Sequence, residues 1–450
     1  MISYQQAVHD LYALGHELYR TPAHKFEIAQ MRTLAAALGS PQTRFPSILI
    51  AGTNGKGSTA ATLASILQAA GYRTGLYTSP HLVRINERIR LSGTPIANED
   101  FVRLYARVRE KALNLVNANE LPNLPSFFET ITAMAFLYFA EAKVDVAVLE
   151  VGMGGRLDAT NIVEPIVSII TDIALDHQAY LGNSIAEIAG EKAGILRAGR
   201  TAITLPQHPE ANDVLGRRMM ELGANAVSAA RNVAPVSPGS EALVQQTGGR
   251  TRFRHEILGE EVLLDSPLAG THQLRNLALA LTAAEELHAL GYAKITSEAI
   301  AHGVRETRWA GRFQVLPATN ARPQMVLDVA HNPAGAWALR AALNRHFGER
   351  PRVFVFGAMS DKAIAEMAQI LFLTAECVVA TAADNPRSAS ADEIAKLAEG
   401  TGTRALTAAN VPVAISLATQ QTAELNDPVL VITGSIYIVG AALEALGLEP

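Results

Sequence analysis

Lys56 sits in a run, Ile48-Leu49-Ile50-Ala51-Gly52-Thr53-Asn54-Gly55-Lys56-Gly57-Ser58, whose residue types suit one task, the holding of phosphate. Glycines let backbone N–H groups converge, a helix starting at the loop adds its positive end, and the lysine adds a full charge. The spacing is not that of the common P-loop, because Gly52 and Gly55 stand three apart and Gly57 separates Lys56 from Ser58. A chance Gly-x-x-Gly-Lys-Gly-Ser arises on the order of once in a thousand chains of this length. The competing interpretation is a flexible Gly-rich loop without a ligand. An apolar run before the loop and helical composition over Thr59–Ala70 after it favour the cradle.

Phosphate chemistry calls for a hard cation, held by oxygen ligands with an occasional imidazole. Glu150 closes the apolar Val146-Ala147-Val148-Leu149, His177 follows Ala174-Leu175-Asp176, and Ser79 lies in Tyr77-Thr78-Ser79-Pro80-His81. Taken singly, each has an ordinary alternative: a strand-end carboxylate capping a loop, a histidine satisfied in the core, a serine opening a turn before proline. Gly152-Met153-Gly154-Gly155-Arg156 is a second Gly-rich loop after a strand, and it lacks the Gly-x-Gly-x-x-Gly of a dinucleotide site. Lys192, in Gly190-Glu191-Lys192-Ala193-Gly194, reads by itself as a solvated helix charge. Later in the chain, Val326-Leu327-Asp328-Val329-Ala330-His331-Asn332-Pro333 again places an acid and a histidine where a strand should end. Asp328 there can meet a nucleotide or cap the next helix. Arg312, after Trp309 and Gly311, can reach phosphate across a cleft or pair with a neighbouring acid.

The elements that must position these residues follow from hydrophobic pattern. Apolar Val/Ile-rich runs at Ser47–Ala51, Asp145–Val151, Ile166–Thr171, Met325–Val329, Val353–Phe356, Val378–Thr381 and Val429–Thr433 alternate with Ala/Leu-rich stretches of helical period. Unbroken apolar strands are buried on both faces, so the fold class is α/β with mainly parallel sheets covered by helices. Between the two groups of strands lie a stretch of hairpin-like polarity, 200–265, and the segment Arg305–Phe313. The expected division is an N-terminal P-loop ATPase-type domain, 1–307, and a smaller Rossmann-like α/β domain, 308–450. Ligands belong outside the carboxyl ends of the strands, in a cleft between the two.

Composition sets further bounds. At 450 residues the chain exceeds one hydrophobic core. Apolar residues make up 49% against 18% charged, which excludes a disordered or low-complexity protein. The single Cys377 excludes an intramolecular disulfide framework. With 38 Lys+Arg against 43 Asp+Glu, the net charge of −5 argues against a general nucleic-acid surface. Neither a basic, apolar leader nor an apolar run approaching the ~20 residues of a membrane span is present. A cytoplasmic protein with neither nucleic-acid nor membrane partners is expected.

These segments, with Phe128-Glu129-Thr130 and the run Leu149–Asn161, resemble in type and order the motifs of the folylpolyglutamate synthase and dihydrofolate synthase family, a branch of the Mur ligase superfamily. The departure is Ala310, where the family commonly has proline. The resemblance implies an ATP-dependent amide ligase that adds L-glutamate to a pteroate or folate carboxylate through an acyl phosphate. It implies ATP contacts from Gly55, Lys56, Gly57, Ser58, Asn276, Arg312, Asp328 and His331, with Lys192, His331 and Lys56 serving catalysis. It implies two Mg2+ ions held by Ser79, Glu150, His177 and Lys192, the lysine carbamylated. The pterin would meet Phe26, Ile28, Ser126, Phe128, Glu129, Leu157, Asp158 and Ala159. Apart from the resemblance, the loop His81–Arg90 carries Arg84, Arg88 and Arg90, which either face the substrate's anionic tail or form a solvated basic loop. Dihydropteroate or reduced folate, L-glutamate and ATP are the implied small-molecule partners of a monomer. Two alternatives stay open: a peptidoglycan-type Mur ligase, disfavoured because only about 46 residues precede the first strand, and a nucleotide-switched P-loop binding protein.

Overall fold

The computed structural model describes residues 2–15, 28–234, 244–247, 249–320 and 322–450. Phe26 lies outside the described residues. In the first part of the chain, β1 (Ser47–Ala51), β2 (Thr74–Tyr77), β3 (Ile89–Leu91), β4 (Thr94–Pro95), β5 (Val146–Glu150), β6 (Val167–Ile170), β7 (Thr201–Thr204) and β8 (Asn225–Ser228) form one sheet. Its order is β4-β3-β2-β5-β1-β6-β7-β8, parallel from β2 to β8, with β3 and β4 added antiparallel at one edge. The unbroken apolar strands serve two cores. Leu49, Ala51, Ala147 and Leu149 join one cluster, with the helices Tyr4–Ala13, Ile28–Ala37, Asn98–Asn117 and Phe127–Ala142. Ile48, Ile50, Val146 and Val148 join the other, under the helices Lys56–Ala69, Thr271–Ala289 and Ser297–Arg305. Parallel neighbours need such crossovers, and covered faces are why these runs do not alternate with polar residues.

The stretch 200–265 departs from the hairpin expectation in its first half. β7 and β8 extend the large sheet in parallel, and the helix Pro209–Glu221 crosses between them. Ala202 and Ile203 are buried within that sheet, but threonines flank them and leave only two apolar residues in the run, too few to show the pattern of a covered strand. Antiparallel pairing is confined to β9 (Gln245–Thr247), β10 (Arg250–Ile257) and β11 (Glu260–Ser266), a small separate sheet.

A third sheet follows, built from β12 (Gln314–Leu316), β13 (Gln324–Leu327), β14 (Arg352–Phe356), β15 (Cys377–Ala380), β16 (Arg404–Thr407) and β17 (Val429–Thr433). Its order is β12-β13-β17-β14-β15-β16, parallel except for β12. Val326, Phe354 and Phe356 point to one core and Met325, Leu327, Val353 and Val355 to the other. Among the described residues no helix is long and apolar enough to cross a membrane.

Candidate active site

The phosphate loop leaves β1 at its carboxyl end and turns into the helix Lys56–Ala69. Gly55 is the residue before that helix, at φ 89, and no side chain caps the first turn. The first N–H groups of a helix have no intrahelical acceptor, so a ligand at this end receives them together with the positive pole. Glycine is required at position 55 twice over. Its φ is left-handed, and a Cβ there would fall 2.0 Å from Asn276 Oδ1. Lys56 folds back, its Nζ donating to the carbonyls of Gly52 and Thr53 at 3.1 Å each.

A cavity of about 1150 Å3 opens over this loop and is lined from both sheets. The lining includes Gly55, Lys56, Gly57, Ser58, Asn276, Ser79, Glu150, His177 and Lys192 from the first part, and Arg312, Asp328 and His331 from the second. Ile28, Ser126, Phe128, Glu129, Leu157, Asp158 and Ala159 line the same cavity. The fold gathers these residues around one cavity.

Several of these side chains already hold structural partners. Ser126 and Glu129 form a reciprocal capping box at the start of the helix Phe127–Ala142. Asp158 accepts from Thr160 N at 2.9 Å and Met153 N at 3.0 Å, and burial pushes its carboxyl up to about 6. The Asp328 oxygens accept from Phe313 N at 2.8 Å and Ala330 N at 2.9 Å, and burial raises that carboxyl too. Asn276 Nδ2 donates to Gln273 Oε1 at 2.9 Å.

Glu150 ends β5 at 4% exposure, accepting from Ser79 N at 3.2 Å. Burial pushes its carboxyl up to about 7 against the pull of Lys56. Lys192, 3% exposed, donates to Gly52 O at 2.8 Å, and burial, helped by the charge of Lys56, lowers its amine to about 7. Burial lowers His177 to about 4, so the ring is neutral near neutrality and has lone-pair capacity. A buried carboxyl, a neutral imidazole and a serine hydroxyl suit a hard divalent cation, which would restore the carboxylate charge that burial disfavours. Among the described residues no three His, Cys, Asp or Glu side chains cluster as a ready ligand set, so a cation here depends on Ser79 and on the ligands that arrive with substrate.

The expected basic loop divides. Arg88 is 3% exposed, donates to His81 Nδ1 at 2.8 Å and lies 5.1 Å from the centre of the Phe127 ring. It is not a solvated charge. Arg90 stands 5.8 Å from the Trp309 ring and Arg312 5.9 Å from it. With Arg308, these arginines surround a second, much smaller cavity, of about 20 Å3, at the chain junction.

Sequence reasoning assigned no role to Asp172, Asp176, Arg275 or Lys362. The Asp172 carbonyl accepts from Thr53 N at 2.8 Å and Asn54 N at 3.2 Å, while its carboxylate takes a two-pronged pair from Arg275 at 2.6 to 3.1 Å. The loop after β6 is thereby tied to the phosphate loop. Asp176 pairs with Lys362 at 2.6 Å. Burial alone would raise the Asp176 carboxyl, but the hydrogen bond from His331 and the charges of His177, His331 and Lys362 hold it well below the usual range. The signal for these pairs was weak in sequence, since the partners stand 103 and 186 positions apart.

Comparison with known proteins accords with this geometry. Residues 50–284 match the Mur ligase middle domain, and residues 311–436 match the Mur ligase glutamate ligase domain. These two domains in this order, with the cavity between them, define a Mur-type ligase. The chain is 37% identical to the dihydrofolate synthase/folylpolyglutamate synthase of Bacillus subtilis, over 82% of this chain and 83% of that one. It is 36% identical to the corresponding enzyme of Mycobacterium tuberculosis, over 94% and 90%. In three dimensions it matches Mycobacterium tuberculosis folylpolyglutamate synthase complexed with ADP at a TM-score of 0.89 and 34% identity, covering 99% of each chain. An FPGS complex with AMPPCP and folate matches at 0.81 and 32%, covering 99% of this chain and 100% of that one. The chain belongs to the dihydrofolate synthase/folylpolyglutamate synthase family.

Proposed function

We propose that this protein uses ATP to join L-glutamate to the carboxylate of a pteroate or folate, releasing ADP and phosphate. The supporting observation is the single cavity in which the phosphate loop, Glu150, Lys192, Arg312, Asp328 and His331 meet. A carboxylate does not react with an amine directly, because oxide would have to leave. Transfer of the γ-phosphoryl group breaks its bond to ADP and forms an acyl phosphate. The glutamate amine then attacks the acyl carbon, loses a proton, and the tetrahedral intermediate expels phosphate.

In this scheme the first-turn N–H groups at Gly55–Ser58 receive the phosphates, and Lys56 turns from the Gly52 and Thr53 carbonyls to the transferring group. Arg312 brings charge from the second domain. Burial lowers its guanidinium pKa from the ordinary value, while Asp328 and Glu150 act to sustain the charge. Asp328 and Asn276 orient the nucleoside and His331 stands near the phosphates. Ile28, Phe128 and Leu157 supply an apolar slot for a flat ring with Asp158 at its edge. Ser79, Glu150 and His177 would hold magnesium, which supplies charge neutralisation and alignment of the transferred group. A Lys192 amine at about 7 is unprotonated often enough to take up carbon dioxide. The carbamate keeps one N–H for the Gly52 carbonyl and provides oxygens for a second cation. The domains divide near 307/308, and the enzyme acts as a cytoplasmic monomer.

The test is phosphate release from ATP and magnesium with L-glutamate, comparing dihydropteroate, tetrahydrofolate and no acceptor, with mass detection of product. Release that requires both glutamate and acceptor, with a product heavier by one glutamyl residue, is the expected result and ranks the acceptors. Acceptor-independent release by folded, ATP-binding protein would overturn the substrate assignment.

A further inference from the structure

Asp176 stands on the loop after β6, and both of its carboxylate oxygens are engaged. Oδ1 receives Lys362 Nζ at 2.6 Å and the His177 N–H at 2.8 Å. Oδ2 receives Asn332 Nδ2 at 3.2 Å and lies 3.5 Å from His331 Nε2. Three of these four partners, His331, Asn332 and Lys362, come from the glutamate ligase domain. The pair is dry: the Asp176 and Lys362 side chains are 8% and 9% exposed. Charges that leave water together stay paired only where geometry and hydrogen bonds satisfy both, and this carboxylate meets that condition solely with the second domain in place.

The loop carrying Asp176 cannot drift from the phosphate loop. Thr53 Oγ1 donates to Ala174 O at 3.0 Å and accepts from Ala174 N at 3.1 Å, two residues before Asp176. On the other side, Asn332 caps the helix Pro333–Phe347 through Gly335 N at 2.8 Å and exchanges hydrogen bonds with Asn54 at 3.0 and 3.4 Å. The carboxylate therefore sits where phosphate loop, β6 loop and the loops after β13 and β14 meet.

We propose that Asp176 is a positioning residue that latches the glutamate ligase domain onto the phosphate loop, fixing His331 and Lys362 over the site of phosphoryl transfer. It touches neither substrate nor the reacting atoms in this assignment. The proposal rests on the ligase reading for the meaning of His331, but the latch itself is a matter of domain geometry and can be measured without turnover.

The experiment places a fluorophore pair on two exposed residues, one in each domain, through Glu110→Cys and Glu399→Cys, with buried Cys377 left in place. Energy transfer is read with and without AMPPCP and magnesium, and kcat and the KM for ATP are read in parallel on the unlabelled protein. Asp176→Asn keeps the shape and removes the charge. It should lower the closed population, reduce kcat roughly 100-fold, and leave the KM for ATP within about threefold, since displaced groups cost rate more than nucleotide binding. Lys362→Met should reproduce the opening from the opposite domain, and Asp176→Glu should restore part of the closure. Energy transfer like that of the wild type in both Asp176→Asn and Lys362→Met would overturn the latch, as would a fall in kcat with closure unchanged. A wild type that closes but releases no glutamate-dependent phosphate would instead overturn the ligase reading and leave the latch standing.

Discussion

Glu150 shows how one residue can be costly to a fold and still be worth keeping. At 4% exposure its carboxyl is pushed up to about 7 from 4.5 by burial. The folded protein therefore binds a proton that the unfolded chain has already released, and without a cation stability should fall as pH rises from 4.5 through 7, by about 3 kcal/mol. Glu150→Gln should flatten that part of the pH profile and raise the melting temperature at pH 8 in chelator. The same variant should need at least ~10-fold more Mg2+ for half-maximal phosphate release. Urea midpoints across pH and a magnesium titration check both halves, and a Gln variant that melts like the wild type at pH 8 would remove the electrostatic account. Glu150 was legible in sequence because an ionisable residue ended an apolar strand. Lys56 and Ser58 were legible because glycines flank them. Asp176 and Lys362 were not, because an ion pair across 186 positions leaves no trace in local spacing.

On the proposed assignment the helix Lys56–Ala69 presents its first turn to phosphate, so whatever holds its other end matters. Gly303, on the helix Ser297–Arg305, packs so closely that a Cβ would lie 2.4 Å from Ile66 Cα, and Ser65 Oγ donates to Gly303 O at 2.7 Å. Gly303→Ala meets backbone, which cannot step aside as a side chain can. The expected loss is about 3 kcal/mol, with a weakened affinity for AMPPCP because the two helices separate; denaturant unfolding and nucleotide titration measure the two effects. A variant as stable as the wild type would mean that the crossing has slack. Such a contact is invisible in sequence, where Gly303 is one glycine in an amphipathic stretch. The strands were easier when Val and Ile filled them, as in β1 and β17. Thr74–Tyr77, Asn225–Ser228 and Arg404–Thr407 escaped notice because their residues are small, polar or at an exposed edge, so hydrophobic pattern had nothing to report.

Across the whole molecule the cores remain almost entirely on their own sides of the junction. Two clusters draw only on residues up to Val304, and the other two draw on residues from Phe313 onward, apart from Ala269 and the contacts of Leu82, Val83 and Ala310. Between them lies a cleft whose described bridges are mainly polar, Asn54 to Asn332 and Asp176 to Lys362. Polar bridges of this kind couple two folding units weakly, because each unit keeps its own apolar burial when the other unfolds. Calorimetry of the ligand-free chain should therefore resolve two transitions, and residues 308–450 expressed alone should unfold cooperatively. Nucleotide changes the coupling. On the proposed assignment, a nucleotide held by Gly55–Ser58 on one side and by Arg312 and Asp328 on the other stabilises whatever it touches by about 2.7 kcal/mol at a hundredfold excess over its dissociation constant. With AMPPCP and magnesium both transitions should move up and draw together, while the isolated 308–450 piece, lacking the phosphate loop, should not respond. If only the first transition moves, the second domain makes no contact with nucleotide, and Arg312 and Asp328 lose their assigned roles.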